Sequence, residues 1–251
     1  MTQFVESSTR ATVVSIAPRL AEHPEVLLPV LVCQDGFTIT HSAEPVELLP
    51  DADVRSFIGE YRIPHAVLDV ARPSTQGPFA MPDYYYEFRR QQAAAIERAA
   101  DVLTDLAVEF ELLSGRRLGP VEEYRLDGAS TAIVALGSSA GTIKDVVDDL
   151  RDAGEPVGLL KVASFRPFPA GAVAAALRDV ASVVVLDRAD SPGGAPPLHA
   201  ELAAALYGSG CELAGSVYGL GGRDLHPEDI RAVYAGANLA HIGLRGTACR
   251  A

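Results

Sequence analysis

Asp35 and His41 are the first residues of this chain whose types and spacing suggest proton chemistry. They stand in Asp35-Gly36-Phe37-Thr38-Ile39-Thr40-His41, shortly after the apolar, β-rich run Leu27-Leu28-Pro29-Val30-Leu31-Val32. If that run is a parallel strand, the polar groups lie at its carboxyl end, the edge at which parallel sheets meet ligands. A histidine there suits a proton donor or an orienting group for a bound substrate. It suits equally a histidine satisfied at an interface, because no nucleophile or second acid accompanies it.

Three further sets carry charge at positions that invite function. Arg166 stands within Ser164-Phe165-Arg166-Pro167-Phe168-Pro169, where its guanidinium has two uses: stacking on an aromatic inside its domain, or pairing with a carboxylate across an interface. Asp187-Arg188 and Arg223-Asp224 each place opposite charges side by side, for which local ion pairing is the plain reading. The turn Gly137-Ser138-Ser139-Ala140-Gly141-Thr142 suggests phosphate, since glycines let the backbone approach and a helix N-terminus favours anions. Its spacing matches neither the dinucleotide nor the P-loop pattern, and Asp145, Asp148 and Asp149 follow at once. A structural strand-to-helix turn, with Thr142 as its cap, is the better expectation.

Elements that would position these groups are legible in outline. Residues 7–19 have helical apolar spacing and residues 27–32 read as a strand. One helix and one strand cannot cover both faces of a sheet, so this opening must lie against something encoded elsewhere. Residues 72–78 hold two prolines and a glycine and read as a linker. After Pro82 a long Ala-rich helix runs to about Leu113, closed by Ser114-Gly115. It begins with Tyr84, Tyr85 and Tyr86, which cannot share one helix face; some are expected on the core and others on a neighbour. From Thr131 the chain alternates: strands at 131–136, 157–162 and 183–186, helices at 143–153, 170–177 and 198–206. Such alternation implies right-handed crossovers and a parallel sheet covered on both faces.

Composition narrows the class. With 251 residues, 48% of them hydrophobic, the chain can fill one large core or two small ones. A net charge of -12 argues against nucleic acid or anionic lipid as partners. Cys33, Cys211 and Cys249 are odd in number and far apart, which suggests reduced thiols in a cytoplasmic setting rather than disulfides, zinc or an iron–sulfur site. No apolar stretch approaches the roughly twenty residues needed to cross a bilayer, and residues 1–6 lack the order of a signal peptide.

Seven blocks then recur in a fixed order: Cys33-Gln34-Asp35-Gly36-Phe37 with Thr40-His41; Phe57-Ile58-Gly59-Glu60-Tyr61; Tyr85-Tyr86-Glu87-Phe88-Arg89; Gly137-Ser138 with Gly141-Thr142; Phe165-Arg166-Pro167-Phe168-Pro169; Leu186-Asp187-Arg188; and Gly219-Leu220-Gly221-Gly222-Arg223-Asp224. In this order they resemble the α subunit of pyruvate:ferredoxin oxidoreductase and related 2-oxoacid:ferredoxin oxidoreductases, over nearly the whole chain. The resemblance implies an α/β fold: residues 1–72 as the C-terminal part of a thiamine-diphosphate pyrimidine-type domain, 73–125 as linker and helix, and 126–251 as a transketolase C-terminal-like domain with a parallel sheet.

What the resemblance implies chemically is oxidative decarboxylation of a 2-oxoacid, with electrons passing through iron–sulfur clusters to ferredoxin and coenzyme A taking the acyl group. The first two thirds or so of the family's pyrimidine domain has no counterpart here. With it would go the glutamate that activates the aminopyrimidine; the magnesium-diphosphate motif and cluster cysteines are also missing. The expectation is therefore a split subunit that is not active alone. Its cofactors, thiamine diphosphate, magnesium, iron–sulfur cluster and coenzyme A, would belong to the complex, and other chains would supply the rest of the pyrimidine domain and the diphosphate domain.

Asp35, Gly36, Phe37, His41, Arg166, Arg223 and Asp224 become candidates for the cavity rim or an interface, with no catalytic or metal residue assigned. An obligate contact of this kind buries on the order of 2,000 Å² or more, so the chain by itself should be aggregation-prone before residue 72. Two rivals stay open: a stand-alone coenzyme A or nucleotide-binding module using the 137–142 turn, and a non-catalytic scaffold in a specialised acyl-transfer pathway.

Overall fold

The computed structural model describes residues 2–6, 10–36, 38–41, 43, 47–237 and 239–245. In the first half these form β1 (Thr2–Glu6), α1 (Arg10–Glu22), β2 (Val30–Gln34), α2 (Asp51–Ile58) and the 33-residue α3 (Pro82–Ser114). The second half contributes β3 (Val121–Tyr124), β4 (Thr131–Leu136), α4 (Ser139–Asp152), β5 (Val157–Val162), β6 (Ser164–Arg166) and α5 (Ala170–Ala176). It continues through β7 (Ser182–Asp187), α6 (Pro197–Ala205), β8 (Glu212–Val217), a 3-10 turn at Leu220–Gly222, and α7 (Pro227–Tyr234).

These elements fall into two compact units. One contains residues 1–4, 9–32 and 44–118; the other contains 5–8, 33–43 and 119–251. In the first, α1, α2 and α3 surround Ile16, Leu20, Phe57, Val102, Leu103 and Phe110. Phe57 meets Phe110 edge to face, and the Arg19 guanidinium lies 4.7 Å from the Phe57 ring while pairing with Glu109. Gly115 ends α3 in the left-handed conformation, at the position where the sequence places the stop.

The second unit is a three-layer α/β structure whose sheet has the order β3-β5-β4-β7-β8. β5, β4, β7 and β8 are parallel, and β3 joins the edge antiparallel. Alternation along the strands sends successive residues to opposite faces. Ala132 and Val134 face one core with Val173, Leu177, Leu198 and Leu202; Ile133 and Ala135 face another with Ile143, Val146, Val147 and Ile230. Both faces are thus covered by helices, and every residue of β5 is buried.

Several local expectations shift. The first helix is described over Arg10–Glu22, continuing past the expected end at residue 19; residues 7–9 lie outside the described residues. The strand expected from residue 27 begins at Val30 and is half-buried to exposed rather than buried; Pro29 has no N–H for a ladder, and Leu27 takes a positive φ of 45° in a turn closed by His23. Thr142 is not a cap: α4 already starts at Ser139, so the expected turn is mostly its first turn. Tyr84, Tyr85 and Tyr86 all stand exposed, none of them in the core.

A candidate site at the carboxyl edge of the sheet

The chain lays down β4, places β5 on one side of it and then crosses to place β7 on the other. In an open parallel sheet this reversal opens a crevice between the carboxyl ends of the two central strands. Here those ends are Leu136, followed by Gly137 and Ser138, and Asp187, followed by Arg188.

Asp35 fills that position. Its Oδ2 accepts a hydrogen bond from the Ser138 backbone N–H at 2.8 Å and another from the Ser138 hydroxyl, while Arg188 Nη1 meets Oδ1 at 2.9 Å. One carboxylate so joins a segment from the first third of the sequence to residues 103 and 153 positions later. Gly219, just beyond β8, has φ of +69°, and a Cβ there would approach Arg188 Nε to 3.1 Å, so glycine leaves room for the arginine stem.

Beneath this contact lies a buried polar layer. Tyr218 donates its hydroxyl hydrogen to Ser139 Oγ at 2.8 Å, and Ser139 in turn donates to the Leu136 carbonyl. Burial pushes the Tyr218 phenol above its ordinary range, keeping it a donor. Asp187 turns away from Arg188 and accepts the His199 N–H at 2.9 Å in the first turn of α6. Burial raises its pKa from the ordinary aspartate value, against the pull of the His199 and Leu198 amides. Adjacent Asp187 and Arg188 therefore serve different partners, and the expected local pair is replaced by two longer-range ones.

The remaining candidates are dispersed. Gly36 is exposed, and Phe37 lies outside the described residues. His41 is exposed, with its Nδ1 2.8 Å from Thr40 Oγ1. Arg166 stacks 4.5 Å from the Phe165 ring centroid and pairs with Glu201 at 2.6 Å, so its guanidinium takes the intradomain alternative. Arg223 donates to the Gly243 carbonyl rather than to neighbouring Asp224.

Two family models match this chain. The thiamine-diphosphate-binding model of pyruvate flavodoxin/ferredoxin oxidoreductase matches residues 9–107, and pyruvate:ferredoxin oxidoreductase core domain II matches residues 129–230. The pyruvate synthase subunit PorA of Thermotoga maritima is 46% identical over 237 residues, 93% of this chain and 60% of the relative. The chain belongs to the pyruvate:ferredoxin oxidoreductase family. Another relative is the α subunit of the NADH-dependent phenylglyoxylate dehydrogenase of Aromatoleum evansii, 37% identical over 84% of this chain and 53% of its own length. The chain thus spans between half and two thirds of these relatives. A solved 2-oxoglutarate:ferredoxin oxidoreductase from Magnetococcus marinus shares the fold at a TM-score of 0.55 and 14% identity, over 94% of this chain and 42% of that one.

Among the described residues no group of three or more His, Cys, Asp or Glu side chains is placed to hold a metal. The Ser138 N–H, immediately before α4, is already donated to the Asp35 carboxylate. No step of catalysis is assigned to these residues.

Sequence reasoning missed Ser138 as an anchor and the Lys144–Glu122–Lys161 cluster altogether. Lys161 is 5% exposed next to the end of β5 and meets Glu122 Oε2 at 3.3 Å across the β3 pairing; Lys144 binds the other Glu122 oxygen. A lysine inside Val157-Gly158-Leu159-Leu160-Lys161-Val162 was the available signal, since a charge in a buried strand requires a partner.

Proposed function

We propose that this protein is a component of a thiamine-diphosphate-dependent 2-oxoacid:ferredoxin oxidoreductase that decarboxylates a pyruvate-like 2-oxoacid to an acyl-CoA. In this reading the chain forms structure and interface and does not catalyse by itself. The observation that carries it is the tandem match of a thiamine-diphosphate-binding model at residues 9–107 and core domain II at residues 129–230. The PorA likeness over 93% of the chain supports the same reading.

Residues 1–72 act as the C-terminal part of the pyrimidine-type domain, 73–125 as linker and helix, and 126–251 as the transketolase C-terminal-like domain. Partner subunits bring the diphosphate domain with its magnesium; the complex supplies iron–sulfur clusters, ferredoxin and coenzyme A. Asp35, Gly36, Phe37, His41, Arg166, Arg223 and Asp224 are the residues assigned to the cavity rim or an interface, the Arg166 guanidinium itself being paired with Glu201 inside its own unit. A free thiol at Cys211 supports a reducing, cytoplasmic setting, and among the described residues no helix is long and apolar enough to cross a membrane.

The test is reconstitution with the chains that co-purify from the native source. Coenzyme A-dependent reduction of ferredoxin by a 2-oxoacid should require this chain. Undiminished turnover in its absence would favour the scaffold reading instead. Calorimetry of the chain with coenzyme A or a nucleotide should give no measurable heat, because Asp35 already occupies the anion position at the sheet edge; micromolar binding there would overturn the reading.

A further inference from the structure

The segment 33–43 precedes the second unit's first strand by more than seventy residues, yet it belongs to that unit. Two features hold it there. Asp35 uses both carboxylate oxygens, one on Ser138 at the end of β4 and one on Arg188 at the end of β7, and its side chain is only 17% exposed. Four residues later Ile39 is buried to 3% exposure. Beyond these anchors Thr40 and His41 stand exposed and joined to each other.

We propose that Asp35 is a positioning residue: clasped by Ser138 and Arg188 at the switch point of the parallel sheet, it fixes the 33–43 segment so that Thr40 and His41 are presented to the 2-oxoacid substrate. The proposal deepens the functional reading above and rests on it for the identity of the substrate. Its geometric part stands independently.

Three properties make the contact a clasp rather than an incidental surface pair. It draws on two adjacent strand ends, which the sheet holds rigidly through the β4–β7 ladder. It combines a charge-assisted backbone hydrogen bond with a guanidinium pair, the stronger kinds of polar contact. It also depends on blocks that are far apart in sequence: Asp35, Ser138, Arg188, and Gly219, whose missing side chain leaves space for Arg188. An exposed pair between two flexible side chains would need none of this.

The test uses the full chain and the assembled complex. Asp35→Ala should speed hydrogen exchange of the amides of residues 36–41 by about tenfold, the loss of one charge-assisted anchor, while β4 and β5 keep their protection. Ser138→Ala and Arg188→Gln should each produce a smaller increase in the same segment, and they decide the matter if Asp35→Ala does not fold. Unchanged exchange at 36–41 would overturn the clasp; equal acceleration throughout the sheet would mean a general structural role and overturn it too. In the complex, Asp35→Ala should raise the 2-oxoacid KM about tenfold, with affinity for thiamine diphosphate unchanged. A freed segment with unaltered 2-oxoacid kinetics would refute the presentation of Thr40 and His41. If a complex containing the unaltered chain turns over no 2-oxoacid at all, the functional reading fails, whereas the exchange measurement still decides the clasp.

Discussion

A buried lysine has to be neutralised, and Glu122 neutralises two at once. Burial opposes ionisation of Glu122, but the hydrogen bonds and charges of Lys144 and Lys161 outweigh it and hold the carboxyl below its ordinary value of 4.5. A carboxyl with a depressed folded pKa contributes stability that is present above the unfolded pKa and lost as pH falls through the folded one. Glu122→Gln should therefore cost about 1–2 kcal/mol at pH 7, a modest figure because Glu122 faces solvent on one side. The gap to the unaltered protein should close on acidification below pH 4.5. Urea midpoints at neutral and acid pH check this, and an equal gap at both would sink the ionic account. At this scale the sequence was informative about residue type and poor about partners. Arg166 and Asp35 stood out because of their neighbours and position. That Arg188 would choose Asp35 over adjacent Asp187 depends on where β4 and β7 end in space, which no local pattern encodes.

Elements were most legible where burial imposes a period. The expected limits of β4 and β5 are those observed, because a strand covered on both faces reads as a mostly apolar run without alternation, even with Lys161 in β5. β3, β8, α2 and α7 escaped notice: β3 carries two glutamates in four residues, β8 includes Gly215, and the two helices have eight residues each. Gly215 in fact lies against His199, whose Nδ1 would be 2.5 Å from an added Cβ, so what looks like a weak strand former answers a packing need. α3 divides along its length. Its buried residues run from Ala95 to Phe110, whereas Tyr84, Tyr85, Tyr86 and Phe88 at its start are exposed. Apolar side chains left uncovered in such number mark a surface made for contact. In the isolated chain, amides of residues 86–92 should exchange at least about tenfold faster than those of 99–110, since nothing but the helix's own hydrogen bonds protects them. In the assembled complex the difference should shrink, and mass spectrometry of exchanged peptides would reveal it. A first half as protected as the second in the isolated chain would contradict this view of the helix.

Across the molecule, composition allowed one large core or two small ones, and the structure has three clusters, one in the helical unit and one on each face of the sheet in the other. What no sequence pattern foretold is that residues 33–43 belong to the second unit while the residues on either side belong to the first. The reason is a contact of high sequence separation, Asp35 with Ser138 and Arg188. Units with their own cores generally unfold as separate cooperative transitions. Scanning calorimetry of the full chain should accordingly resolve two. Phe110→Ala, which empties the centre of the helical core, should lower one of them by a loss of about 3–5 kcal/mol and leave the other in place. Leu160→Ala, in the buried centre of β5, should do the reverse with a loss of about 2–5 kcal/mol. Asp35→Ala is the discriminating case. Sequence position assigns it to the first unit, whereas its contacts assign it to the second. Its effect should therefore appear in the transition that Leu160→Ala moves; a shift confined to the one moved by Phe110→Ala would show that the 33–43 segment folds with the helices and that the clasp forms too weakly to matter.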